Sequence, residues 1–197
     1  MHKGRLEAFS DGVIAIIITI MVLELRPPEG ATFHDLLPLW PKFLSYALSF
    51  VYVGIYWNNH HHMFQSVQKI NGKVLWANMH LLFWLSTIPF VTAWLGESGA
   101  AAAPASAYGI VLLLDAIAYT ILVAALIDVH GRDSHFAKAI GSDLKGKISI
   151  VIYIVGLATA FVAPTIACIL YAAVACIWFV PDKRFAPPEH PTSDERR

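Results

Sequence analysis

Apolar residues fall in six long runs along the chain, and short polar or proline-containing stretches separate most of them. A helix of about 20 apolar residues, rising about 1.5 Å per residue, spans the roughly 30 Å hydrocarbon core of a bilayer. Each run meets or approaches that length. The pattern therefore predicts an all-α membrane protein with six transmembrane helices, at residues 6–25, 39–57, 74–94, 108–129, 148–163 and 164–180.

The last two predicted helices are short, and no polar loop joins them. Ala163 directly precedes Pro164 at their junction. Proline is accepted in the first turn of a helix because its missing N–H would have no partner there anyway. We therefore predict a tight helical hairpin instead of one long helix.

The basic residues predict the orientation of the chain in the membrane. If the N-terminus is cytoplasmic, every lysine and arginine except Arg26 and Lys42 falls on the cytoplasmic side of the six helices. This asymmetry is the one that the positive-inside rule requires. We expect both termini in the cytoplasm, with residues 1–180 forming a six-helix membrane domain. Residues 181–197 are rich in proline and charge, and we expect them to form a disordered cytoplasmic tail.

Composition narrows the class of protein further. The 197 residues are 57% hydrophobic and 14% charged, whereas soluble domains carry about 25% charged residues. An ordinary soluble globule is therefore excluded. The net charge is zero, which removes any electrostatic case for nucleic-acid binding. The two cysteines, Cys168 and Cys176, are too far apart on one predicted helix for a disulfide, and they indicate no thiolate metal site.

A polar cluster opens the first predicted helix. Ser10 and Asp11 lie near its N-terminus, where their side chains can cap the helix or hydrogen-bond to neighbours. Taken alone, they indicate a capped helix end. Further along, four residues share one face at helical spacing, which alone predicts only contact with lipid or with the protein core. They are Ile16, Thr19, Ile20 and Leu23.

Three consecutive histidines, His60, His61 and His62, follow the second apolar run. Adjacent residues of a helix point about 100° apart, so the three rings cannot easily converge on one metal ion. A buried hydrogen-bond network, with one histidine reaching another helix, is favoured over a metal site. Asn78 and His80 lie at the same depth and could join it.

One acidic residue, Asp115, stands in the middle of the fourth predicted helix, with Tyr119 one turn later. Ionisable groups inside a membrane are candidate functional sites. Asp115 could relay protons or ions, or it could be satisfied by Tyr119 or by a neighbouring helix. The chain has no paired carboxylates, nucleophile–base pair, phosphate loop or HExxH motif, so we do not expect an enzyme.

The pattern Arg5-x-x-x-Phe9-Ser10-Asp11-Gly12 opens the first predicted helix. At that place it resembles the transmembrane-protein-175 family of potassium channels. Support comes from Tyr56-Trp57-x-x-His60-His61-x-x-Phe64 and from Pro-Asp-Lys-Arg at 181–184. The similarity covers nearly the whole chain. Lysosomal members carry two six-helix repeats and this chain carries one, so it is similar to the prokaryotic form, which implies a homotetramer in the plasma membrane.

The resemblance implies a role for the first helix. Four copies of it would line a pore whose constriction consists of layers of bulky apolar side chains. By offset from the Phe-Ser-Asp motif, Ile16 forms the first layer and Leu23 the last, with either Thr19 or Ile20 in the middle. Monovalent cations would pass, potassium before others, by passive leak and without a cofactor.

The same resemblance implies a buried network that holds the pore helix in place. Its expected members are Arg5, Phe9, Ser10, Asp11, Gly12, Trp57 and His61.

Two other interpretations stay open at this point. The first is a proton-coupled secondary transporter that uses Asp115 or a histidine, although the three-helix halves show neither the inverted repeats nor the interrupted helices typical of carriers. The second is a membrane scaffold without transport.

Overall fold

A computed structural model describes residues 2–179, and in that range the chain forms α-helices, one 3₁₀-helix and no strand. The 3₁₀-helix, Phe33–Leu39, leads directly into the second α-helix. The α-helices are α1 Lys3–Leu23, α2 Trp40–Gln65, α3 Gly72–Leu85, α4 Ile88–Glu97, α5 Ala102–His130, α6 His135–Ile140, α7 Leu144–Ala160 and α8 Pro164–Phe179. Val180 and the predicted tail at 181–197 lie outside the described residues.

The predicted all-helical class is confirmed, and several helices have membrane dimensions. Four stretches are long and apolar enough to cross a bilayer, and α8 is a shorter apolar helix. These stretches are Lys3–Leu23, Phe33–Gln65, Gly72–Glu97 and Ala102–His130. The number of six crossings stays a prediction.

The second helix extends eight residues beyond its predicted end at residue 57, to Gln65, so the histidine cluster lies inside α2 and not after it. The ammonium group of Lys3 in α1 donates hydrogen bonds to the carbonyl oxygens of Phe64 at 2.8 Å and Val67 at 3.1 Å. Carbonyl groups at a helix C-terminus lack partners within the helix. A cation from α1 therefore satisfies the end of α2 and fixes the two helices to each other.

The third predicted helix is broken into α3 and α4 at Ser86 and Thr87. Pro89 has no N–H to donate to the carbonyl oxygen of Leu85, and such a missing hydrogen bond kinks or ends a helix. The Ser86 hydroxyl donates to Phe83 and the Thr87 hydroxyl to Trp84, both to backbone carbonyl oxygens. The third predicted helix therefore has an interruption ahead of Pro89, although Gly72–Glu97 as a whole is long and apolar enough to cross a membrane.

The predicted hairpin between the last two helices is confirmed. α7 ends at Ala160, Pro164 begins α8, and the two helices pack against each other. A short helix that was not predicted, α6, connects α5 to α7. Gly131 and Gly141 flank it with φ of 86° and 55°, a region of backbone space that favours glycine.

The bundle is organised around α5, which packs against α3, α4, α7 and α8. On one side of α5 the ring of Tyr171 from α8 lies where a side chain at Gly109 would otherwise be, and it also contacts Gly156 of α7. Tyr52 of α2 donates a hydrogen bond to the backbone carbonyl of Tyr171. Two glycines thus let one buried aromatic ring join α5, α7 and α8.

Replacement of Gly109 by alanine should destabilise the fold, because the added Cβ would overlap the hydroxyl group of Tyr171. Overpacking of this kind costs about 1–3 kcal/mol, so we expect a lower thermal unfolding temperature for Gly109→Ala in detergent. Gly54→Ala is the matched control, because no atom lies within 4 Å of a Cβ at that position. Equal unfolding temperatures for the two variants would contradict this account of the packing.

Candidate functional site

The two sides of α1 have different environments. One side packs against α2, α3 and α4, and it contains the buried residues Leu6, Ser10, Ile14, Ile17 and Met21. The other side is uncovered in the protomer. The residues exposed there include Phe9, Gly12, Ile16, Thr19, Ile20 and Leu23.

The four residues predicted to form the constriction all lie on this exposed side. Ile16 is 58% exposed and Leu23 is 75% exposed, which are high values for apolar side chains. An apolar helix face that is uncovered in one protomer contacts either lipid or other copies of the chain. The predicted constriction residues therefore lie together on the uncovered face of α1.

Thr19 and Ile20, the two candidates for the middle layer, differ in their surroundings. The Thr19 hydroxyl donates to the carbonyl oxygen of Ile16 at 2.9 Å, within its own helix. Ile20 borders an open groove between α1 and α4, whose other wall includes Phe90 and Trp94. Both side chains are exposed, so either one could narrow a pore formed by α1.

A buried chain of hydrogen bonds attaches the N-terminal part of α1 to α2 and α3. The amide nitrogen of Asn78 in α3 donates to the Ser10 hydroxyl at 2.9 Å, and Ser10 donates in turn to the carbonyl oxygen of Leu6. The amide oxygen of Asn78 lies 2.8 Å from Nε2 of His60 in α2. All three side chains are buried. One asparagine therefore joins three helices at the start of α1.

A second, more exposed contact joins α1 to α2. The indole Nε1 of Trp57 donates to Oδ1 of Asp11 at 3.0 Å. The ring of His61 stacks on Trp57 with a centroid distance of 5.7 Å, and its Nε2 lies 2.8 Å from the amide nitrogen of Gln65. Asp11, Trp57 and His61 thus lie together at the surface, whereas the predicted network was a buried one.

The other expected members of the network lie elsewhere. Arg5 is exposed, and within residues 2–179 no hydrogen bond or ion pair joins its guanidinium to Asp11 or Ser10. Phe9 and Gly12 lie on the uncovered side of α1, and nothing within 4 Å surrounds a Cβ at Gly12. Within one chain, four members of the predicted network make hydrogen bonds or ring contacts with other residues: Ser10, Asp11, Trp57 and His61.

Two important residues of the site were not among the predicted site residues: His60 and Asn78. Asn78 bonds His60, in agreement with its predicted depth, whereas His80 accepts a hydrogen bond from Trp84 in its own helix. The signal for His60 is its spacing, because it continues the buried face of α2 that includes Tyr52 and Val53 and ends at Met63 and Phe64.

Asp115 lies in the middle of α5. Its side chain is completely buried, and neither carboxyl oxygen has a hydrogen-bond partner in the described part of the chain. The possibility that Tyr119 or another helix satisfies it with a hydrogen bond is therefore wrong for this structure.

Replacement of Asn78 by alanine should destabilise the protein more than replacement of Asp11. Asn78→Ala leaves Ser10 and His60 buried without this partner, and an unsatisfied buried group costs about 1–3 kcal/mol. Asp11→Ala removes one partly exposed hydrogen bond, for which we expect about 1 kcal/mol or less. Thermal unfolding of the purified protein measures both effects, with Asn58→Ala as an exposed control. A larger loss for Asp11→Ala would contradict the importance of the Asn78 contacts.

Comparison with known proteins gives concordant matches. The sequence model of the family described as "Endosomal/lysosomal potassium channel TMEM175" matches residues 5–89. A protein named potassium channel from Chryseobacterium sp. is 58% identical over 184 residues, which cover 93% of this chain and 96% of that protein. The human "Endosomal/lysosomal proton channel TMEM175" is 33% identical over 101 residues, which cover 45% of this chain and 20% of the human protein.

A solved structure agrees over nearly the full length. It is the crystal structure of a lysosomal potassium-selective channel TMEM175 homologue from Chamaesiphon minutus. The TM-score is 0.80 at 30% sequence identity, with 94% of this chain and 98% of that chain covered. The resemblance first seen at Phe9-Ser10-Asp11 is thereby confirmed. The chain belongs to the TMEM175 family of ion channels, which are not enzymes.

Proposed function

We propose that the protein is a potassium channel in which four copies surround a pore lined by α1. The observation that carries the proposal is the uncovered apolar face of α1, on which Ile16 and Leu23 are among the most exposed large apolar side chains of the chain's first helix. Assembly around an axis would bring four such faces together. The names of relatives as potassium channels support potassium as the permeant ion.

The proposed constriction acts through dehydration. A ring of isoleucine or leucine side chains narrow enough to exclude water forms an energetic barrier, because an ion must shed part of its hydration shell to pass. Ile16 would form the inner layer and Leu23 the outer layer, with Thr19 or Ile20 between them. Potassium holds its hydration shell less strongly than sodium, which favours potassium at such a barrier.

The Ser10–Asn78–His60 chain and the Asp11–Trp57 contact would hold α1 in position. A pore helix that carries a dewetted constriction must keep a fixed rotation about its axis, since a rotation would replace Ile16 by a neighbouring side chain. Two hydrogen-bonded contacts near one end of α1 supply such a constraint.

We further propose six crossings with both termini in the cytoplasm of a cell whose plasma membrane holds the channel. α3 and α4 together would make the third crossing. At about 1.5 Å per residue, α7 and α8 would each extend about 25 Å, slightly less than the hydrocarbon core. The distribution of lysine and arginine supports this orientation. No cofactor takes part, and potassium is the permeant ion.

The alternative of a proton-coupled transporter with Asp115 or a histidine gains some support from the break between α3 and α4, because interrupted helices are typical of carriers. A flux experiment separates the two. Purified protein in potassium-loaded liposomes should release potassium along the electrical gradient without a coupled ion. A pH-sensitive dye inside the liposomes reports any proton movement. Potassium release that requires a proton gradient would contradict the channel.

Replacement of Ile16 by asparagine should raise potassium flux and lower the preference for potassium over sodium. A polar side chain hydrates the constriction and lowers the barrier, and each 1.4 kcal/mol removed from a barrier raises a rate about tenfold. We therefore expect a rise of roughly tenfold in liposome flux, with a reversal potential closer to zero under potassium–sodium gradients. Val22→Asn is the control, because Val22 is exposed on a different side of α1. Unchanged flux and reversal potential for Ile16→Asn would contradict the proposal.

A further inference from the structure

His130, the last residue of α5, holds the loop that connects α2 to α3, residues 66–71. Its Nε2 lies 3.3 Å from the backbone nitrogen of Gln68 and 3.2 Å from that of Lys69. Its Nδ1 lies 2.9 Å from the carbonyl oxygen of Leu126, one turn earlier in α5. The imidazole ring thus joins the C-terminus of α5 to the α2–α3 loop.

The partners of His130 require a neutral ring. A carbonyl oxygen only accepts hydrogen bonds and a backbone N–H only donates them, so we infer that Nδ1 carries the hydrogen and that Nε2 accepts. A second proton on Nε2 would remove the acceptor and would place one N–H against two others. The contact between α5 and the loop therefore exists only while the imidazole is uncharged.

The peptide group that donates to His130 also accepts a hydrogen bond from α1. The N–H of Gln68 and the carbonyl oxygen of Val67 belong to one peptide group, and that oxygen lies 3.1 Å from Nζ of Lys3. No peptide bond of the described residues is cis, so the N–H and the carbonyl group point in opposite directions from one plane. His130 and Lys3 hold this plane from its two sides. A rotation of the plane would weaken both contacts together.

His130 is half-buried, so water reaches the end of α5. Histidine is the side chain whose charge ordinarily changes between about pH 5 and pH 8. None of the ion pairs within residues 2–179 includes His130, and Asp128 pairs with Lys73 at 2.7 Å. No ion pair would therefore replace the hydrogen bonds that a protonated ring loses. The charged and titratable groups on the loop, on α3, on or just after α5 and on α6 are Lys69, Lys73, Asp128, Arg132, Asp133, His135 and Lys138.

We propose that His130 is a pH-sensitive positioning residue for α1. Its neutral ring holds the Val67–Gln68 peptide group in the orientation in which Lys3 is bound, and its protonated ring releases that group. Protonation would loosen the attachment at the start of α1, while the Asn78 contacts keep the helix in the bundle. The effect on ion flux rests on the proposed function, whereas the contact itself does not.

The first test measures the contact without any transport. Hydrogen–deuterium exchange of the purified protein, resolved to the amides of Gln68 and Lys69 and corrected for the intrinsic effect of pH, is compared at about pH 7.5 and about pH 5.5. We expect these two amides to lose roughly tenfold in protection at the lower pH, because they lose their acceptor. The amide of Leu75, which donates to the carbonyl oxygen of Asn71, should be unchanged. Equal protection of Gln68 and Lys69 at both pH values would overturn the proposal.

Two substitutions separate titration from loss of the side chain. His130→Gln supplies an amide oxygen that accepts but does not titrate, and His130→Phe supplies no acceptor. Neither variant should respond to pH, and His130→Phe should exchange at about pH 7.5 as fast as the wild-type protein does at about pH 5.5. His135→Gln is the matched control, because His135 is an exposed histidine of the neighbouring helix α6, and it should respond as the wild type does. A wild-type pH response in His130→Gln would place the sensor elsewhere and overturn the proposal.

The second test concerns α1. With the pH changed on both sides of the liposomes, potassium flux through the wild-type protein should rise roughly threefold from about pH 7.5 to about pH 5.5, because a loosened α1 keeps the Ile16 layer less tightly closed. His130→Gln should abolish this dependence. Lys3→Met should show the higher flux at both pH values, because it lacks the donor to Val67.

The outcomes of the two tests are distinguishable. A pH-dependent exchange of Gln68 and Lys69 with a pH-independent flux would overturn the link from His130 to α1 and leave the channel in place. If no variant conducts potassium, the proposed channel is wrong, and the exchange measurement alone decides whether His130 releases the loop.

Discussion

The attachment of α1 by one side only is the constraint on which the rest of this structure depends. Asn78 donates to Ser10 on α1 and bonds His60 on α2, so three helices meet at a single buried amide. Lys3 adds a contact from the start of α1 to the end of α2. These interactions fix one side of α1 within the bundle and leave the other side, with Ile16 and Leu23, uncovered.

The remainder of the bundle supplies a rigid frame for that helix. α5 packs against α3, α4, α7 and α8, and Tyr171 joins it to α7 and α8 through the space left by Gly109 and Gly156. After the break, α4 packs against α1 and forms one wall of the groove beside Ile20. In the proposed channel, α1 can therefore be apolar over its free face, because its position does not depend on burying that face within its own bundle.

The sequence predicts the helical class and most helices well, since apolar runs of membrane length have few alternatives to a helix. It predicts the local structure less well where single residues inside an apolar run, such as a proline, determine it. The break at Ser86 and Thr87 depends on Pro89. It is hard to predict because the residues on either side of this proline are apolar and continue the run that predicts one helix. Whether His60 or His61 makes the buried hydrogen bond depends on which face of α2 is buried. A helix that is apolar on nearly every side does not reveal that face. Among residues 2–179, Asp115 has no hydrogen-bond partner because of how the surrounding helices pack. A local sequence pattern carries no information about that packing.

The central claim is that the face of α1 bearing Ile16 lines the path of the ion, and cysteine accessibility tests it most directly. In a background with Cys168 and Cys176 replaced, Ile16→Cys is compared with Ala15→Cys, at the same depth of α1 but about 100° away. Potassium flux into liposomes is measured before and after a small, water-soluble thiol reagent. The account predicts that the reagent blocks flux in Ile16→Cys and has little effect in Ala15→Cys. Block in Ala15→Cys with none in Ile16→Cys would contradict it.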